Sequence, residues 1–137
     1  MKDARNRILV IDDEASILRR LDLRLSRMGL EVETALTKED AIKKLNTNVY
    51  DLVLTDMIMS GISGNDVLNH IRVELKHSTP VIAISGTPWL LEGSSFNAII
   101  NKPCSKQELS DIVGQFVKTR FSQPVPMSLY NSDHLVI

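Results

Sequence analysis

Hydrophobic and polar positions alternate along the chain in two distinct rhythms. Segments 7–12 (RILVID), 30–35 (LEVETA), 51–56 (DLVLTD), 80–85 (PVIAIS) and 97–101 (NAIIN) are short and rich in Val, Ile and Leu. Three of them contain ILVI, LVL and VIAI, apolar almost throughout, which suits strands buried on both faces of a parallel sheet. The partial alternation of EVETA predicts a more exposed edge strand. Between these runs the period lengthens to that of a helix. Over 15–28, Ile17, Leu18, Leu21, Leu25 and Met28 recur at three- and four-residue spacing, and Gly29 stands where a helix would stop. Over 38–46, Thr37 and Asp40 resemble a capping box ahead of Ala41, Ile42 and Leu45. Over 64–76, Val67, Leu68, Ile71 and Leu75 follow Ser63 as candidate cap. Over 105–117, Ser105 and Glu108 form an S-x-x-E box before Leu109, Ile112, Val113, Phe116 and Val117.

Strand and helix alternating five times predict right-handed crossovers and a doubly wound α/β architecture, a five-stranded parallel sheet with helices on both faces. Segment 86–96 (GTPWLLEGSSF) is short and rich in Gly, Ser and Pro, so the fourth helix is expected to be abbreviated, distorted or mobile. Residues 1–120 are read as one domain. Residues 121–137 carry Pro124 and Pro126 and no sustained period, and are expected to be an extended or partly disordered tail whose last apolar residues are candidates to dock.

Composition narrows the class without choosing a function. The 137 residues are 43% hydrophobic and 24% charged with a net charge of −1, which suggests no broad nucleic-acid or membrane footprint. A single cysteine, Cys104, rules out an intrachain disulfide and any zinc site built from several cysteines. No apolar run approaches the ~18 residues of a membrane span, and the N-terminus MKDARNR has no signal-peptide core. A soluble, cytoplasmic protein is expected.

The chemistry gathers where the strands end. In an open parallel sheet, ligands bind at the carboxyl ends of the strands. The first strand ends in Asp12 and Asp13, the third in Asp56, the fourth in Ser85, and the fifth runs into Lys102. Three carboxylates, a hydroxyl and an ammonium thus converge on one rim. Hard oxygen ligands from separate strands suit Mg²⁺, and one carboxylate can act as a nucleophile towards phosphorus. Taken alone, DDE at a helix start reads as a cap in a favourable macrodipole field, with Glu14 an ordinary first-turn residue. Asp51 is expected at the opposite end of the sheet, solvated. His70, His77 and His134 show no metal-ligand spacing, Cys104 has no paired histidine, and Trp89 reads as a packing anchor or a contact residue. No glycine-rich nucleotide loop occurs.

These motifs (DD after the first strand, LVLTDMIMSGISG around the third, PVIAISG, and NKPCS after the fifth) resemble the response-regulator receiver domain of two-component signalling over roughly residues 6–120. The resemblance implies a flavodoxin-like strand order 2-1-3-4-5. It implies Asp56 as phosphoacceptor, with Asp13, Asp56 and the Ile58 carbonyl as Mg²⁺ ligands and Asp12 acting through water. It implies that Ser85 reaches the phosphoryl group, that Lys102 is its cationic partner, and that the Lys102–Pro103 bond is cis. It further implies a phosphohistidine of a sensor kinase or phosphotransfer protein as donor, an unknown downstream protein as target, and a possible homodimer. The chain reads as a stand-alone switch rather than a turnover enzyme, without direct nucleic-acid or membrane contact. Departures from the pattern are Ser60 in place of proline, only sixteen residues between Ser85 and Lys102, and Ile99 at the aromatic switch position. Ile58 and Thr87 stand where water reaches the acyl phosphate, and the apolar Ile58 predicts slow self-dephosphorylation. Two other readings stay open: an adaptor that uses the fold without phosphorylation, and a Mg²⁺-dependent phosphohydrolase.

Overall fold

A computed structural model describes residues 6–59, 62–87, 95–117 and 135–137. The Val/Ile/Leu runs form strands β1 (Arg7–Ile11), β2 (Glu31–Ala35) and β3 (Leu52–Asp56), then a short antiparallel pair, β4 (Ile58–Met59) and β5 (Ile62–Ser63), and finally β6 (Val81–Ser85) and β7 (Ala98–Asn101). The main sheet is entirely parallel, in the order β2-β1-β3-β6-β7, which is 2-1-3-4-5 counted along its five strands. β3 and β6 are buried at every position, whereas β2 lies at an edge and is buried only at Ala35. The alternation in EVETA is therefore explained by a face open to water.

Helices α1 (Ala15–Arg27), α2 (Lys38–Thr47), α3 (Gly64–Asn69) and α4 (Lys106–Gly114) cover the two faces. Side-chain alternation along each strand sends Ile8, Val10, Leu52, Leu54, Ile82, Ile84 and Ile100 to one side. There they meet Leu18, Leu21 and Leu25 of α1 and Leu109 and Val113 of α4. Leu9, Ile11, Val53 and Val81 face the other way, against Ala41 and Leu45 of α2 and Val67 and Leu68 of α3. Each large side chain sealed in this way contributes roughly 1.5–3 kcal/mol. Two cores lock the register, since a one-residue slip would exchange them.

Local signals set the helix ends. Gly29 has φ 89°, in the left-handed region that L side chains resist, and it closes α1. Thr37 Oγ1 accepts the Asp40 N–H at 3.1 Å, but the Asp40 carboxylate turns forward to Lys44 at 3.2 Å and does not complete the box. At α4 the box is reciprocal in effect, with Ser105 Oγ accepting the Glu108 N–H and donating to its carboxylate, both at 3.1 Å. The helix expected over 64–76 changes pitch midway. After Asn69 it widens into a π-type turn (His70–Glu74), where Leu75 N–H reaches the His70 carbonyl at 2.9 Å. Lys76, at φ 55°, then ends it. Asp51 does lie at the far end of the sheet, but it is not merely solvated: its carboxylate accepts the Arg7 N–H at 2.8 Å at the start of β1.

Of segment 86–96 only Gly86, Thr87, Ser95 and Phe96 are described, none of them helical, so the expected fourth helix falls mostly outside the described residues, as do Ser60, Trp89, His134 and the tail before residue 135. No helix among the described residues is long and apolar enough to cross a membrane.

Candidate functional site

Parallel register brings the rim residues level. Ile11 pairs with Thr55, so Asp12 and Asp56 leave adjacent strands side by side, and Asp12 N–H is fixed by the Ala35 carbonyl at 3.2 Å. Carboxylate oxygens of Asp12, Asp13 and Asp56 all lie within 4.8 Å of one another. Lys102 follows β7, its N–H donating to the Ser85 carbonyl at 2.8 Å. Its Nζ stands 3.3 Å from Asp56 Oδ1 and 4.0 Å from Asp12 Oδ2. The Lys102–Pro103 bond is cis. Ser85 lies one residue beyond Ile84, the register partner of Asp56. Its buried hydroxyl accepts the Thr87 N–H at 3.0 Å and sits 3.4 Å from the Thr87 hydroxyl. The four charged residues read from the strand ends therefore converge, while Ser85 lies on the neighbouring strand with its oxygen turned to Thr87. Ile58 opens the small β4–β5 pair directly after the phosphoacceptor candidate's strand.

This concentration of acids is electrostatically costly. Burial pushes the Asp12 carboxyl up to about 6, and the neighbouring Asp56 and Asp13 push the same way; the Glu14 N–H and Lys102 oppose them. Asp56 is likewise raised by burial, a rise that the Lys102 ammonium only partly offsets. The cap reading of DDE is half right. Asp12 Oδ1 does accept the Glu14 N–H, at 2.9 Å, at the start of α1. Asp12 Oδ2, however, is buried and accepts no hydrogen bond among the described residues. Three carboxylates against one ammonium leave the cluster anionic, and a buried carboxylate oxygen without a donor is suited to a cation. The donor set is all oxygen and compact, which fits a hard dication such as Mg²⁺.

Two features escaped sequence reasoning. Gly64 N–H donates to the Met57 carbonyl at 3.1 Å, and a Cβ there would lie 2.7 Å from Met57 Sδ and 3.1 Å from the Asp56 carbonyl. The signal was present: a glycine directly behind the Ser63 cap serves no helical purpose. Gly64→Ala is expected to push the residues after Asp56 outward, costing about 1–2 kcal/mol of stability. Mg²⁺ affinity should fall with it, read from amide shifts of Asp13 during a titration. The second feature is a small cluster in which half-buried Ile99 and Phe96 pack on Met57 and Ala83, so Ile99, already read from the sequence at the aromatic switch position, is held by plain apolar packing.

Comparison with known proteins agrees with this geometry. Residues 8–114 match the family model described as response regulator receiver domain. Response regulator ArlR of Staphylococcus aureus is 32% identical over 107 residues, covering 74% of this chain and 48% of ArlR. The chain spans about half the length of the curated relatives it matches. Among solved structures, response regulator TrrA of Thermotoga maritima, in complex with Mg²⁺ and BeF, is 33% identical with a TM-score of 0.74, over 82% of this chain and 99% of that one. Chemotaxis response regulator CheY4 of Vibrio cholerae shares the fold, with a TM-score of 0.75 at 21% identity, over 83% of this chain and all of its own.

Proposed function

This chain belongs to the response regulator receiver domain family, and we propose that, in the cytoplasm, it accepts a phosphoryl group on Asp56 from the phosphohistidine of a sensor kinase or phosphotransfer protein. The observation that carries this reading is the acid cluster itself, with oxygens within 4.8 Å and Lys102 Nζ at 3.3 Å from Asp56. An Asp56 oxygen attacks phosphorus, the P–N bond breaks, and the imidazole leaves as the acyl phosphate forms. Asp13 and Asp56 with the Ile58 carbonyl would hold Mg²⁺, and Asp12 would complete its surroundings. Bound there, Mg²⁺ would neutralise charge on the transferring oxygens. Lys102, paired with Asp56 before transfer, is placed to pair with a phosphoryl oxygen afterwards. Ser85 supplies a hydroxyl from the next strand. TrrA's complex with Mg²⁺ and BeF supports the same chemistry here.

The product is a switch state rather than a released product, and its output is a protein contact. An adaptor that never carried phosphate would gain nothing from holding Asp12 and Asp56 at raised pKa, which disfavours that alternative. Acetyl phosphate provides the test. With Mg²⁺ present, one phosphoryl group per chain should be incorporated, and borohydride trapping should map it to the peptide containing Asp56. Hydrolysis of the label should be slow, since apolar Ile58 cannot orient a water. Steady release of inorganic phosphate over many cycles would instead mark a phosphohydrolase.

A further inference from the structure

Residues 135–137 are seated on the loop that follows β7. Cys104 N–H donates to the Ile137 carbonyl at 2.6 Å, Val136 N–H donates to the Cys104 carbonyl at 2.8 Å, and Ile137 N–H reaches that carbonyl at 3.3 Å. Leu135 adds an antiparallel bridge to Ser105. Val136 is 4% exposed and belongs to the core cluster with Cys104, Ile100, Leu109 and Val113, and Ile137 packs against it. Both backbone polar groups of Cys104 are thus satisfied by a segment more than thirty residues away in sequence.

Cys104 stands two residues after Lys102. The loop between them is pinned at one end by the Lys102 N–H bond to Ser85 and at the other by residues 135–137. A lysine stem has four rotatable carbons, so the place of its ammonium depends on how firmly the backbone beneath it is held. We propose that residues 135–137 are a strap that positions Lys102 towards Asp56, with Val136 as the positioning residue; the inference rests on the phosphoacceptor reading of Asp56. When the strap lifts, the Cys104 backbone groups turn to water and the Lys102 loop loosens. Strap seating and occupancy of the phosphoryl site are then linked, each shifting the other by the same factor.

Cys104 also supplies the probe, because it is the chain's single cysteine and is fully buried beside Val136. Its rate of reaction with Ellman's reagent reads strap opening. In Val136→Asp a charge cannot remain in the apolar seat, and labelling should accelerate at least about tenfold. Beryllofluoride binding in the presence of Mg²⁺ should weaken about fivefold, while affinity for Mg²⁺ alone stays within about twofold because the acids are untouched. In the unaltered protein, saturating Mg²⁺ and beryllofluoride should slow Cys104 labelling by that same factor of about five, a measurement that decides the matter even if Val136→Asp does not fold. The strap is refuted if labelling of the unaltered protein ignores beryllofluoride. It is also refuted if Val136→Asp loses Mg²⁺ and beryllofluoride affinity equally, as a general loosening of the fold would require. Should beryllofluoride bind neither protein, the phosphoacceptor reading fails by itself, and the Lys102 side-chain resonances judge the strap: shifted in Val136→Asp they support it, unmoved they overturn it.

Discussion

Asp56→Asn is expected to abolish Mg²⁺-dependent labelling by acetyl phosphate, a loss of at least about a thousandfold, while making the unliganded protein more stable at pH 7.5 by about 1 kcal/mol or more. The two effects have one origin. Asp56 is buried at the end of β3, its carboxyl raised by a desolvation that Lys102 offsets only in part, and Asp13 adds a smaller repulsion. The amide keeps the shape and removes both the charge and the nucleophilic oxygen. Lys102 is not stranded, since Asp12 Oδ2 remains at 4.0 Å. Asp12 gains as well, because one of the neighbours that raise its carboxyl has become neutral. Urea midpoints beside phosphoryl incorporation check both halves. A destabilised Asp56→Asn would mean that the Lys102–Asp56 attraction outweighs the cost of burying the two charges, and the site would then be a structural ion pair.

Opposed signs of this kind mark residues retained for chemistry, and they bear on what the sequence could disclose. β1, β3 and β6 were legible because burial on both faces writes itself into consecutive Val, Ile and Leu, and their bounds moved by a single residue. Asp12, Asp56 and Lys102 could be placed on one rim because parallel strands end at one edge, which is a property of topology rather than of any side chain. Asp12 shows the limit. Its two oxygens differ, Oδ1 accepting the Glu14 N–H and Oδ2 accepting no hydrogen bond among the described residues, and no sequence separates a cap from a candidate cation ligand when one residue offers both. The π-type turn at His70–Glu74 was hidden for a related reason: Ile71 and Leu75 keep their spacing whether the backbone bonds to the fourth or the fifth residue back. Gly64 against Met57, Asp51 on Arg7 and residues 135–137 on Cys104 are contacts between segments distant in the chain, with no period to announce them.

The site also predicts how stability should follow pH and Mg²⁺. Asp12 has an ordinary value of 3.8 and stands at about 6 in the fold. Between those values the folded chain binds more protons at this position than the unfolded chain does, so stability falls as pH rises. The favourable contribution is complete below about pH 3.8 and is lost as pH climbs through about 6; Asp56, also raised, acts in the same direction. A difference of about two pKa units corresponds to roughly 3 kcal/mol lost by neutral pH. Mg²⁺ competes with the proton for the same carboxylates, so it should recover most of that loss where the acids are ionised and little where they are protonated. Affinity for Mg²⁺ should be about tenfold weaker at pH 5 than at pH 7.5, from the titration of Asp12 alone. Urea midpoints with and without magnesium chloride should therefore form two curves that draw together as pH falls towards 5 and spread apart above pH 6, the gap changing by about 1.4 kcal/mol for the tenfold change in affinity. Parallel curves would show that no acid of the cluster carries a raised pKa, and the compact carboxylate trio would lose its claim to be a poised cation site.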